Sequence, residues 1–120
     1  MRRPWTIAKR AQYVLVYRQG GTYADSLVVA KVRANGLNLS RYGLSVSKRT
    51  GKAVERNRLR RLLREIMRLQ SIKPGWDIVL IVRPEAAAVN YHRLEAAVTG
   101  LLARAKLLQV SDEAISIGSD

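Results

Sequence analysis

The chain has 120 residues, enough for one domain with a modest core. Lysine and arginine number 22 against 9 aspartate and glutamate, a formal net charge of +13, and this excess favours a polyanionic partner such as nucleic acid. Cysteine is absent, which excludes disulfides and cysteine-based zinc sites, and the longest apolar run, residues 78–82, is far too short to span a membrane. We expect a cytoplasmic protein with no membrane contact.

The first half of the chain predicts one helix and two strands. Thr6 is a candidate N-cap for a helix that ends at about Gln19, before two glycines. Residues 27–33 are rich in β-branched side chains and predict a strand. A turn follows, and the alternating residues 42–47 predict a second strand.

The second half predicts two helices around one buried strand. The loop 48–53 leads into a long amphipathic helix at about 54–70. Residues 77–82 are apolar and predict a buried strand, and Asn90 can cap a last helix that ends at about Leu108.

The order of these elements predicts an α+β fold with one pair of layers. No repeat or linker divides the chain, so we expect one domain over residues 1–120. Its ordered core should span residues 6–108, and the acidic residues 109–120 should form a flexible tail.

The helix at 54–70 has two chemically different faces on a helical wheel. One face is apolar and comprises Leu59, Leu62, Leu63, Ile66, Met67 and Leu69. The opposite face carries Asn57, Arg61, Arg64 and Arg68. Stacked like charges destabilise a helix, and only Glu55 and Glu65 lie near enough to relieve them. The arginine stripe therefore favours an absent anionic partner, with a solvated basic face as the alternative.

The loop before this helix extends the basic segment. Residues 48–68 hold nine lysines and arginines against two glutamates, a net charge of +7 and over half of the total. Gly51 permits a tight loop, and the helix N-terminus behind it presents backbone N–H groups that suit phosphate. Arginine suits phosphate as well, because its planar fork can bind two oxygens at once.

Two tyrosines form a second candidate site in the first helix. Tyr13 and Tyr17 are four residues apart, hence on one face, with Arg10 and Arg18 nearby. Such aromatic rings can stack on unpaired bases without reading their sequence. Spacing alone favours the alternative that both rings belong to the core.

The sequence offers no protein active site. His92 is the only histidine, Ser45 and Ser47 have no nearby base, and the nine acids are scattered. We therefore predict no catalytic residue and no metal ligand in this chain.

Residues 43–68, GLSVSKRTGKAVERNRLRRLLREIMR, resemble the protein subunit of bacterial ribonuclease P. That family carries a strand ending in a similar serine-valine-serine-lysine motif, a glycine loop, an arginine-asparagine-arginine motif and an arginine-leucine helix. Tyr13 and Tyr17 before Gly20, and PGWDIVLIVRP at residues 74–84, are also similar to family segments. The resemblance covers about residues 8–106.

The resemblance implies a two-layer α+β sandwich with a mostly four-stranded sheet and about three helices. The arginine helix would lie in a left-handed βαβ crossover, against the usual right-handed preference. The implied activity is endonucleolytic removal of the 5′ leader from precursor tRNA. The RNA subunit would be the catalyst and hold most of the magnesium, and no organic cofactor is implied. The partners would be ribonuclease P RNA and precursor tRNA, with no obligate protein partner.

The resemblance also assigns roles residue by residue. The residues that match positions facing the catalytic RNA are Lys48, Arg49, Lys52, Arg56, Asn57, Arg58, Arg60, Arg61 and Arg64, and the helical wheel adds Arg68. Tyr13 and Tyr17 match aromatic residues that line the cleft for the leader.

This chain departs from the family pattern in four places. It has no phenylalanine, and Met67 stands where phenylalanine is common. Its N-terminal basic run is short, and its tail is acidic rather than basic. Ala30 or Lys31 occupies the place of an aromatic residue on the first strand, so a third stacking position is in doubt.

Three other functions are compatible with parts of the sequence. A structural RNA-binding protein would share the basic surface but would not depend on the catalytic RNA. A DNA-binding regulator would place the arginine helix in the major groove and usually form a dimer. A protein-only nuclease would need clustered carboxylates, which the scattered acids do not obviously supply.

Overall fold

The computed structural model describes residues 6, 7 and 9–109, which form three α-helices, four β-strands and two short 3₁₀-helices. In chain order the helices and strands are α1 (Arg10–Gln19), β1 (Gly21–Ala24), β2 (Val28–Ala34), β3 (Arg41–Val46), α2 (Ala53–Arg68), β4 (Trp76–Val82) and α3 (Tyr91–Arg104). The 3₁₀-helices are Lys48–Thr50, before α2, and Pro84–Ala88, before α3. The predicted α+β class and four-stranded sheet are confirmed.

The strands form one mixed sheet in the order β1-β2-β4-β3. β2 runs antiparallel to β1 and β4, whereas β3 runs parallel to β4, with Arg41 beside Asp77 and Val46 beside Val82. Helix α2 connects these two parallel strands, as parallel neighbours require. The left-handed sense of this crossover stays a prediction.

The two faces of the sheet pack against different helices. Successive side chains on a strand point to opposite faces, and the buried strand β4 supplies both. Ile78 and Leu80 of β4 belong to the main core with α2 and α3. Val79, between them, packs with Ile7 and Val16 in a smaller cluster under α1. The sheet and the pair α2–α3 form the two main layers, and α1 lies across the second face.

Helix α2 is fixed to the sheet by the apolar face that the wheel predicts. Leu59, Leu63 and Ile66 are fully buried, and Met67 is nearly so. Leu69 is 56% exposed, so its predicted place on the buried face is wrong. The reason is that the helix ends at Arg68, and Leu69 is the residue that terminates it.

The start of α1 differs from the prediction. Lys9, not Thr6, precedes the helix, and the Gln12 side chain accepts a hydrogen bond from the Lys9 N–H at 3.2 Å. Thr6 instead forms a parallel bridge with Tyr42, and the Ile7 N–H donates to the Tyr42 carbonyl at 2.9 Å. This extended segment covers part of the outer edge of β3, a position for which backbone pairing outweighs the capping preference of threonine.

The last helix begins where predicted and ends earlier. The Asn90 side chain accepts a hydrogen bond from the Arg93 N–H at 2.9 Å, which confirms the cap. The helix ends at Arg104, and Lys106 has a positive φ of 61°, a conformation that stops a helix. Leu108 then pairs with Ile72, so the predicted helix end at Leu108 is wrong.

A buried ion pair ties the beginnings of the two parallel strands together. Arg41 donates two hydrogen bonds to the Asp77 carboxylate, Nε to Oδ1 at 2.9 Å and Nη2 to Oδ2 at 2.7 Å. The Asn35 amide donates a third at 2.9 Å, and Asp77 is only 2% exposed. The hydrogen bonds that Arg41 donates to Asp77 raise the pKa of its guanidinium group. The pair fixes β3 beside β4 at the point where the connection that contains α2 enters β4.

Candidate RNA-binding surface

The outward face of α2 is a row of exposed polar side chains. Asn57, Arg61, Arg64 and Arg68 are all exposed, opposite the buried leucines. This arrangement confirms the two faces predicted by the wheel. Within the described part of the chain, Arg61 and Arg64 have no ion-pair partner. Their guanidinium groups are therefore available to an external anion.

Arg68, at the end of the same row, is partly neutralised. Its Nη2 lies 2.6 Å from Glu65 Oε1, and Nε donates to Oε2 at 3.1 Å. The hydrogen bonds from Arg68 lower the pKa of the Glu65 carboxyl. Both side chains are about half exposed, so the pair contributes little to folding and can exchange for another partner.

The arginines on the flanks of α2 contact the protein itself. Arg58 Nη2 donates to the Val89 carbonyl at 3.2 Å. Arg60 Nη1 donates to Asn57 Oδ1 at 3.1 Å, and its Nη2 lies 3.5 Å from the Val46 carbonyl. These bonds orient two guanidinium groups that keep further N–H donors. The wheel could not reveal this, because both carbonyls belong to distant segments.

Arg56 carries one of the few polar atoms that the fold leaves without a partner. Among the described residues, Arg56 Nε and Thr50 Oγ1 are buried and form no hydrogen bond. A buried donor without a partner costs roughly 1–3 kcal/mol. Because this nitrogen is closed to solvent, an external acceptor could reach it only if neighbouring atoms moved.

The loop before α2 is basic and exposed. Lys48, Arg49 and Lys52 all project into solvent, as predicted for a surface that binds an anion. Gly51 has a φ of 153°, and a side chain there would collide with the Glu55 carboxylate. Glu55 accepts the Lys52 N–H at 3.1 Å, so it already occupies part of the helix N-terminus. The helix end is thus a weaker phosphate site than the sequence suggests, and the cations of the loop carry more of the attraction.

Two adjoining cavities follow the outer edge of β3 and together form a groove, the edge groove. The larger, about 700 Å³, lies beside α2 and is lined by Arg61, Arg64, Arg68, Met67 and Ile72 among others. The smaller, about 410 Å³, is lined by Thr6, Tyr13, Tyr42, Gly43, Arg60 and Arg64 among others. Tyr42 and Arg64 line both cavities. The edge groove therefore connects the arginine face of α2 with the tyrosine helix α1.

The two tyrosines of α1 have different environments. Their ring centroids are 6.5 Å apart, at an angle of 49°. Tyr13 lies over Gly43, where any side chain would collide with the phenol ring. Burial raises the pKa of the Tyr13 phenol, the neighbouring Tyr17 adds to this, and a hydrogen bond from the Leu44 backbone opposes it. Tyr17 is 39% exposed. Tyr13 is thus largely a packing residue with one open edge, whereas Tyr17 presents its ring to solvent.

Sequence reasoning did not single out Gly43 and Tyr42. Gly43 makes room for Tyr13, and Tyr42 lines both cavities. The available signal was the glycine within the alternating segment YGLSVS, because a glycine inside a strand often marks a close approach. Ala30 is fully buried in the core on the opposite face from α1, and Lys31 is half-buried; no aromatic side chain stands at either position.

Two further properties limit the chemistry of the described residues. No group of three or more histidine, aspartate or glutamate side chains comes together there in a way that could hold a metal ion. Among the same residues, no helix combines the length and apolar character needed to cross a bilayer.

Comparison with known proteins identifies the family. A family model for ribonuclease P matches residues 1–106. The ribonuclease P protein component of Dehalococcoides mccartyi strain CBDB1 is 46% identical over 114 residues, 95% of each chain. That of Natranaerobius thermophilus is 40% identical over 106 residues, 87% of this chain and 92% of the relative.

Solved structures agree with this match. The RNase P protein of Staphylococcus aureus has a TM-score of 0.82 at 28% identity, over 89% of this chain and all of that one. The RNase P protein of Thermotoga maritima has a TM-score of 0.76 at 31% identity, over 82% of this chain and 96% of that one. The resemblance found in residues 43–68 thus extends over nearly the whole fold. The chain belongs to the ribonuclease P protein family, the protein components of the endoribonuclease that processes the 5′ end of tRNA.

Proposed function

We propose that this chain binds the RNA subunit of ribonuclease P through α2 and the loop before it, and the 5′ leader of precursor tRNA through Tyr17. The observation that carries the proposal is the exposed face of α2, where Arg61 and Arg64 lack an anionic partner among the described residues. The RNA subunit performs the hydrolysis, and this chain positions it and its substrate.

The arrangement of α2 suits an RNA backbone better than a base-specific contact. Arg61, Arg64 and Arg68 are spaced along one helix face, and each guanidinium can hold a phosphate with two N–H donors. Contacts of this kind set the register of the complex but carry little sequence information.

The tyrosine helix suits a single strand. Tyr17 presents its ring to solvent, Tyr13 supports it from the sheet side, and Arg18 is exposed one residue on. A base can stack on such a ring whatever its identity, as a leader of variable sequence requires. The edge groove connects this helix to Arg64, so one RNA strand could contact both surfaces.

Magnesium is assigned to the RNA subunit. The described residues offer no carboxylate cluster that fits a divalent cation, so no ligand in this chain is proposed. The cations of α2 would instead neutralise RNA phosphates and so lower the amount of magnesium that the assembly needs. We place the protein in the cytoplasm, and we propose no obligate protein partner.

The test is cleavage of a precursor tRNA at low magnesium by ribonuclease P RNA alone, by this protein alone, and by both together. Cleavage only in the combined reaction supports the proposal. If the combined reaction cleaves no better than the RNA alone, while the protein still binds the RNA tightly, the structural RNA-binding function is favoured instead. The RNA from the protein's own source should be used, because a mismatched RNA would give the same negative result.

A further inference from the structure

The described part of the chain ends beside the larger cavity of the edge groove. The Gln109 N–H donates to the Ser71 carbonyl at 2.8 Å, and Leu108 pairs with Ile72. Ile72 and Gln70 themselves line that cavity. Residue 110 therefore begins at the border of the surface that carries Arg61, Arg64 and Arg68.

The segment that follows has the opposite charge to this surface. Three of the nine acids of the whole chain, Asp112, Glu113 and Asp120, lie in residues 110–120, and no lysine or arginine follows Lys106. Of the three arginines that line the larger cavity, only Arg68 has an ion-pair partner among the described residues. A tail with carboxylates beside two isoleucines, Ile115 and Ile117, thus starts next to a groove lined by arginines, Met67 and Ile72.

The distances are compatible with contact. An extended chain spans at most about 3.3–3.6 Å per residue, so Asp112 can reach roughly 10 Å from Gln109. Arg61 and Arg68 are seven residues apart on α2, which is also about 10 Å of helix. Gln109 bonds to Ser71, three residues after Arg68, so Asp112 and Glu113 can reach the Arg68 end of this row without any change in the fold.

We propose that residues 110–120 bind in the larger cavity of the edge groove and compete there with RNA. Tethering raises the local concentration of the carboxylates, so that weak ion pairs are populated without RNA. A correctly docked RNA makes many more phosphate contacts and displaces the tail, whereas a short or wrongly placed RNA does not. The docking itself needs only the groove, whereas the competition rests on the proposed RNA-binding function.

The docking can be measured without RNA. The chain has no cysteine, so Ser116→Cys gives one site for a nitroxide spin label. At low salt we expect the label to broaden the side-chain Nε–H signals of Arg61 and Arg64 more than that of Arg104. Arg104 is a suitable reference because it bonds to Ala24 of β1, at the opposite edge of the sheet from β3.

The matched control carries the same label with Asp112→Asn, Glu113→Gln and Asp120→Asn. Loss of the extra broadening in this control supports docking driven by charge. Equal broadening of all three arginines in the parent chain, or extra broadening that survives in the control, would overturn the proposal. Because no tRNA or ribonuclease P RNA is present, failure here is separate from failure of the cleavage assay.

The competition is tested with an unrelated single-stranded RNA oligonucleotide. Neutralising the tail should raise the affinity of the protein for this oligonucleotide by roughly 2- to 30-fold, the range expected for two exposed ion pairs. In a protein that also carries Arg61→Ala and Arg64→Ala, the same change should have little effect. An equal gain in both proteins would indicate a general charge effect and would contradict competition at the groove.

Discussion

Replacing Arg61 and Arg64 together by alanine should weaken binding to ribonuclease P RNA in a salt-dependent way. Each phosphate contact that is lost lowers the slope of log K against log salt by about 0.7 to 0.9, so two contacts lower it by about 1.4 to 1.8. Raising the salt from about 50 to about 200 mM should then shrink the penalty of the double variant by about 7- to 12-fold. The change of this penalty with salt concentration thus reports the number of phosphate contacts that the double variant loses.

The structure indicates that this change leaves the fold intact. Both side chains are exposed, and neither contributes an ion pair within the described residues, so thermal unfolding should be nearly unchanged. The control is Arg93→Ala with Arg104→Ala, which removes the same charge from exposed positions on α3. Binding is measured by fluorescence anisotropy at several salt concentrations. A slope equal to that of the parent chain, or an equal loss of slope in the control, would refute the assignment of phosphate contacts to α2.

Three further changes test other parts of the structure. Tyr17→Ala should weaken binding of leader-bearing tRNA more than mature tRNA, by about 1–3 kcal/mol for one stacked base, while Tyr17→Phe should retain it; equal losses for both tRNAs would contradict a leader contact. Asp77→Ala should lower the free energy of unfolding, measured with urea, by about 3–5 kcal/mol, because it leaves the Arg41 charge without its partner. A decrease below about 1 kcal/mol would show that the pair is dispensable. The raised pKa of Tyr13 means that the folded state holds the phenol proton more tightly than the unfolded state does. The stability that the protonated phenol contributes is therefore complete below about pH 10, and it is lost as the pH rises further. Absorbance at alkaline pH should show a late-titrating phenol that Tyr13→Phe removes, and an unchanged titration curve would argue against the burial of that ring.

The periodic elements of this fold could be predicted from the sequence. The spacing of Leu59, Leu63 and Ile66 against Arg61 and Arg64 specifies both faces of α2, because helix geometry alone relates these positions. Residues 48–68 also revealed the net charge and the glycine loop of the candidate site. The strand predicted at residues 77–82, and observed at Trp76–Val82, has the same local basis, since it is a short apolar run bounded by turn residues.

The remaining features depend on contacts between distant segments. β1 has only four residues and begins with glycine, so no local pattern indicates a strand until β2 lies beside it. Thr6 pairs with the backbone of Tyr42, and Arg58 with that of Val89, and neither partner can be inferred from spacing. The buried pair of Arg41 and Asp77 was missed for the same reason.

The position of β4 has a consequence for how this protein is made. β4 lies between β2 and β3, yet the ribosome synthesises it after both of them and after α2. Until residues 76–82 emerge, β3 lacks the strand with which it pairs, and the leucine face of α2 lacks much of the sheet surface against which it packs. A nascent chain therefore exposes a strongly basic helix with an uncovered apolar face close to ribosomal RNA. The surface proposed to bind RNA gains the support of the sheet only once β4 has been synthesised, so assembly of the ribonucleoprotein should follow the emergence of residues 76–82.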